Sequence, residues 1–84
     1  MPFIKPSDRL PFDRWLAACP SFANKGELEY AIYLLLCKYM KGKETCYSLL
    51  HDAVYAATHA GEEFKRLVMD PYEDTKREEN GDIF

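Results

Sequence analysis

A chain of 84 residues and 9.8 kDa, 48% of them hydrophobic and 14% aromatic, has room for one small domain and is too apolar to be disordered throughout. A net charge of -3 with a pI near 5.3 excludes a broad electrostatic grip on nucleic acid, which needs clustered Lys and Arg. The longest apolar run, residues 30–37, is far short of the roughly 20 residues that span a bilayer, so no membrane insertion is expected.

The Pro and Gly residues fall where helices begin or end, and no repeat interrupts them. A first helix is predicted from about Pro11 to Cys19, preceded by Ser7 and Asp8 and stopped by Pro20, with Phe12, Trp15 and Leu16 at i, i+3 and i+4. Asn24 with Glu27 three residues on reads as an N-cap and its reciprocal partner, opening a second helix that runs to about Met40 and ends at Gly42. A third starts after Thr45. Its positions Tyr47, Leu50, Ala53, Val54, Ala57, Gly61, Phe64 and Val68 define one core-facing stripe, and small residues at Ala57, Ala60 and Gly61 suit close packing. Asp70-Pro71-Tyr72-Glu73 reads as a restart, with Asp70 as N-cap after a kink or corner, and a last short helix closes near Glu79 at Asn80-Gly81.

The second helix is apolar all round. Leu28, Ala31, Ile32, Leu35, Leu36 and Tyr39 share the expected core side, while Tyr30, Tyr33, Leu34 and Cys37 take the opposite one. A helix with no polar face must be covered on every side, and four short helices supply too little chain for that. Self-association through Tyr30, Tyr33, Leu34 and Cys37 is therefore expected; the alternative is an N-terminal arm wrapped around a central helix. Ordering opposes folding by about 1.5 kcal/mol per residue, so a core this thin leans on a staple, a ligand or another copy. The expected fold is an all-α bundle of three main helices plus a short C-terminal one, assembled as a homo-oligomer.

Opposite the stripe of the third helix lies a polar row of Asp52, Tyr55, His59, Glu62, Glu63 and Arg66. Tyr55 can stack, His59 donate and Arg66 clamp a phosphate, which together suit an anionic, nucleotide-like ligand. The plainer reading is a solvated face carrying a Glu62–Arg66 ion pair at i, i+4. Lys38, Lys41 and Lys43 gather at the end of the second helix, where they offset the helix dipole; Lys38 or Lys41 of a neighbouring subunit would complete the anion site. No metal site is expected, because His51, His59 and Glu63 lack zinc or di-iron spacing, and no cofactor is implied. No enzyme is indicated either. Cys46 and His51 point about 140° apart on a helix, and the paired carboxylates of helical nucleotide pyrophosphohydrolases are absent. Cys19, Cys37 and Cys46 form no C-x-x-C pair, leave one thiol over in any disulfide scheme and follow no secretory leader, which points to the cytoplasm.

The segments Gly26-Glu27-Leu28-Glu29-Tyr30, Glu63-Phe64-Lys65-Arg66, Asp70-Pro71-Tyr72-Glu73-Asp74-Thr75-Lys76 and Glu79-Asn80-Gly81-Asp82-Ile83-Phe84 together carry a resemblance over nearly the whole chain. It resembles an uncharacterised family of short phage and bacterial proteins that open Met-Pro-(Tyr/Phe)-Ile and close Asn-Gly-Asp-(Val/Ile)-(Tyr/Phe). The resemblance implies a phage context and structured ends, with Phe3-Ile4 and Ile83-Phe84 docked on the body or on a neighbour, but no activity. A small helical phage protein of this kind suits a counter-defence sponge that sequesters a nucleotide immune signal without cleaving it. The rival expectations are a protein–protein inhibitor or adaptor that uses the Tyr-rich face of the second helix, and an enzyme with an inter-subunit nucleotide site.

Overall fold

In a computed structural model the described residues, 3–81, are helical throughout, with no strand among them. A 3-10 turn, Pro6–Asp8, leads into α1 (Leu10–Ala18); α2 spans Lys25–Met40, α3 Tyr47–Phe64 and α4 Asp70–Asn80, the last two joined by a π-helical turn, Lys65–Met69. The chain divides into two compact units, Met1–Ala31 and Ile32–Phe84, with the boundary inside α2.

In the first unit, Ser7 and Asp8 belong to the 3-10 turn, and the residue that enters α1 is Arg9, whose guanidinium donates to the Ile4 carbonyl at 3.3 Å. Extended backbone at Cys19, ahead of Pro20, ends the helix. The entry to α2 is the predicted reciprocal cap. The Glu27 amide donates to Asn24 Oδ1 at 2.9 Å, and Glu27 Oε1 reaches back to accept from the Ala23 amide at 2.9 Å. Two otherwise orphaned N–H groups are thus satisfied by neighbours in sequence.

In the second unit, α2 stops at Gly42, whose φ of 81° lies where a side chain would strain the backbone. Lys43 donates to the Tyr39 carbonyl and lies 4.2 Å from the Tyr39 ring centroid, so a cation closes the negative end of the helix. The predicted break at Asp70-Pro71 is not a corner. Asp70 has helical dihedrals, its amide donates to the Lys65 carbonyl five residues back, and its carboxylate binds Lys65 Nζ at 3.0 and 3.3 Å instead of capping. Pro71 has no N–H to give, and the wider π turn lets the chain pass it without leaving the helix. One helical path therefore runs from Tyr47 to Asn80, ending at Gly81 with φ 78°.

Burial departs most from expectation. Ala53, 6% exposed, is the one buried residue among those described. The predicted apolar stripe of α3 is covered only at its small members: Ala53 and Ala57 join Leu49 in the least exposed arc, flanked by His59 and Glu63, while Tyr47, Leu50, Val54, Gly61, Phe64 and Val68 are exposed, Val54 by 62% and Phe64 by 63%. On α2, Ala31 and Leu36 are half-buried while Leu28, Ile32, Leu35 and Tyr39 stay exposed, so the predicted core side is not a core within one chain. Phe3 and Ile4 are exposed; Ile83 and Phe84 lie outside the described residues. No helix among the described residues is long and apolar enough to cross a membrane.

Candidate functional site: the polar row of α3

Steps of four residues bring side chains one above another on a helix, and α3 uses that step repeatedly. Tyr55 and His59 stack with ring centroids 5.8 Å apart and planes 8° from parallel. One turn further, Arg66 Nη2 donates to Glu63 Oε2 at 3.0 Å. The ion pair predicted between Glu62 and Arg66 is thus made by Glu63, at i, i+3, while Glu62 stays exposed. The Arg66 guanidinium holds the Glu63 carboxyl below the ordinary carboxylate range, and Glu63 in turn raises Arg66. His59 and Glu63 are half-buried, whereas Tyr55 and Arg66 are open, so a ligand would meet the phenol and the guanidinium first.

The spacing along the axis sets what could bind. Seven residues separate His59 from Arg66, about 10 Å of helix, which is the reach of one nucleotide from base to phosphate. From Tyr55 to Arg66 the span is about 16 Å. Stacking on Tyr55 with a charge-assisted hydrogen bond at Arg66 is chemistry such a ligand can use, although Glu63 already takes part of the positive charge.

Two members of the row were missed in the sequence. Tyr47, assigned there to the core stripe, is 83% exposed and stacks on His51 with centroids 5.9 Å apart and planes at 27°. Positions 47, 51, 55 and 59 therefore repeat Tyr, His, Tyr, His at every fourth residue, a periodicity visible in the sequence once the two histidines are read together.

Lys38 and Lys41 sit elsewhere, at the end of α2, where with Cys37 and Met40 they line an open concavity of about 680 Å³. Of the residues expected at a self-association seam, Tyr30 and Tyr33 are 64% and 62% exposed, and Leu34 and Cys37 are exposed beside them. All three cysteines are free thiols; at the entry to α3 the Ser48 hydroxyl and the Leu49 amide stabilise the Cys46 thiolate and lower its pKa. Among the described residues no group of three or more His, Cys, Asp or Glu could hold a metal ion.

A helical chain with an aromatic–imidazole ladder on one helix and apolar side chains left in solvent on two defines a small all-α protein. It belongs to the family described as Domain of unknown function (DUF6899), whose model matches residues 1–83. No curated protein and no solved structure matches the chain.

Proposed function

We propose that this chain is a non-enzymatic binding protein that works as a homo-oligomer and holds a nucleotide-type anion. One observation carries the assembly. Large apolar side chains stand in solvent on two helices, Tyr30 64% and Tyr33 62% exposed on α2 and Val54 62% and Phe64 63% exposed on α3. In this reading Tyr30, Tyr33, Leu34 and Cys37 meet a neighbour, and Lys38 and Lys41, beside Cys37 on α2, add positive charge to the site formed by Tyr55, His59 and Arg66. The lysines compensate for the charge that Glu63 takes from Arg66. The resemblance to short phage proteins suits a counter-defence sponge in the cytoplasm, which needs a pocket and no catalytic centre.

A second reading, an inhibitor or adaptor that occupies another protein, draws on the same exposed Tyr30 and Tyr33, because tyrosine is enriched where proteins bind proteins. Native mass spectrometry of the protein purified from infected and uninfected cells separates the two. The sponge reading expects an oligomer that retains a small anion, and a bare monomer favours the adaptor. Arg66→Ala is expected to abolish nucleotide binding and leave the oligomer intact; tight binding by that variant eliminates the proposed site. Product formed on incubation with cyclic or linear nucleotides and magnesium would instead identify an enzyme.

A further inference from the structure

The helical path from Tyr47 to Asn80 is about 50 Å long, well beyond the roughly 30 Å width of a small domain. Its apolar stripe is exposed along most of that length: Leu50, Val54, Phe64, Val68 and Tyr72 are all open to solvent. The π turn keeps the stripe straight. In an uninterrupted α-helix Tyr72 would lie about 80° around the axis from Phe64, and the one extra residue of a π turn, about 100°, brings it back into line with Phe64 and Val68.

That correction gives the stripe a symmetry. Outward from a point between Gly61 and Phe64, one arm steps by four and three residues to Ala57 and Val54, and the other steps by four and four to Val68 and Tyr72. The second arm holds the extra π residue, so both arms rise by similar distances along the axis. Folded onto itself head to tail, the stripe sets Phe64 opposite Gly61, Val68 opposite Ala57 and Tyr72 opposite Val54, a large side chain facing a smaller one at each level. A parallel pairing would set Gly61 on Gly61 and Phe64 on Phe64, a void beside a clash. The charges agree. Residues 62–82 carry eight acids and four bases, whereas Lys38, Lys41 and Lys43 precede the other end of the path, so reversal brings opposite charges together.

We infer that two copies of this chain pair antiparallel through the α3–π–α4 helix, on a two-fold axis passing between Gly61 and Phe64. This rests on the homo-oligomer reading above and names a seam for it distinct from the α2 face. Unlike that face, the seam brings no lysine of the second copy to Arg66: its register sets Tyr47 of the second copy level with Glu79, and Lys43 precedes that tyrosine by four residues.

The test is disulfide trapping, on a chain whose three native cysteines are serine and whose helicity is checked by circular dichroism. The double variant Val54→Cys/Tyr72→Cys is expected to run as a covalent dimer on a non-reducing gel, because positions 54 and 72 are about 27 Å apart within one chain and adjacent across the pair. Val54→Cys alone is expected to stay uncrosslinked. Efficient self-crosslinking by the single variant overturns the antiparallel seam. Should the cysteine-free chain not fold, lysine cross-linking of mixed light- and heavy-isotope wild-type protein replaces it: an intermolecular Lys43–Lys76 link is expected, since within one chain these lie about 40 Å apart. Absence of that link, with Lys76–Lys76 found in its place, overturns the seam. A monomeric mass by light scattering sinks both this inference and the assembly reading, whereas an oligomer lacking the 54–72 and 43–76 links sinks only the seam.

Discussion

The second helix and the α3–π–α4 path are both rich in exposed apolar side chains, yet they ask for different cover. Around α2 the tyrosines and leucines leave no polar side, so every direction is a candidate for burial. Along α3 a single apolar stripe faces away from a row of stacked rings and an ion pair, and one partner surface would suffice. The difference teaches that the two helices tolerate charge differently. A charge is expected to be costly on either side of the apolar segment 30–37 of α2, whereas on α3 the face that receives it is expected to decide the outcome.

Substitution tests that contrast most directly. Leu34→Glu on α2 and Val54→Glu on the α3 stripe are each expected to lose about 2 kcal/mol or more of assembly free energy, as buried interface anchors do, while Asp52→Ala on the polar row stays within about 0.5 kcal/mol. Denaturant melts at fixed protein concentration, with light scattering alongside, measure all three. Equal losses at Val54 and Asp52 would erase the distinction between the faces of α3. A smaller effect, about 1 kcal/mol, is expected from Asn24→Ala, which removes the acceptor for the Glu27 amide. Urea unfolding reads it, and a neutral result would mean that α2 is held by its surroundings and not by its cap.

The smallest expected effect is a pH dependence. Glu63 titrates lower folded than unfolded because of Arg66, so its contribution is present above the ordinary carboxylate pKa and is lost as pH falls through the lower folded value. Lys65 titrates higher folded because of Asp70, and its contribution is full below the ordinary lysine pKa and lost as pH rises through the raised one. The cation of each pair, Arg66 or Lys65, is exposed to solvent that screens the interaction, so a gentle slope is expected at each extreme. Glu63→Gln should flatten the acid limb of helicity measured by circular dichroism and leave the alkaline limb alone.

Features written in adjacent residues were legible in the sequence. The reciprocal cap at Asn24 and Glu27, the end of α2 at Gly42 and the close of α4 at Asn80-Gly81 depend only on side chains and dihedrals within a few positions. The all-helical fold followed from the same signals. At Asp70-Pro71 the start of α4 with proline in its first turn was legible, whereas the join to α3 was not, because a proline removes one hydrogen bond without fixing how the chain recovers, and a π turn recovers it inside the helix where Asp70 was expected to cap. Glu62 was paired with Arg66 because i, i+4 and i, i+3 partners are near neighbours on a helix, and the rotamer decides between them. Tyr47 was placed in the core because an aromatic at helical spacing scores as apolar whether it packs inward or stacks on an imidazole. The burial of the α3 stripe depends on what lies across from it, which periodicity within one helix does not record: Ala53 and Ala57 are covered while Val54, Phe64 and Val68 are exposed.

Among the described residues Ala53 alone lies below the surface, while large apolar side chains of α2 and α3 stand partly in solvent. Under the proposed homo-oligomer, cover for those side chains comes from other copies, so the melting point is expected to climb with protein concentration and dilution to act as a denaturant; thermal melts over a dilution series measure it.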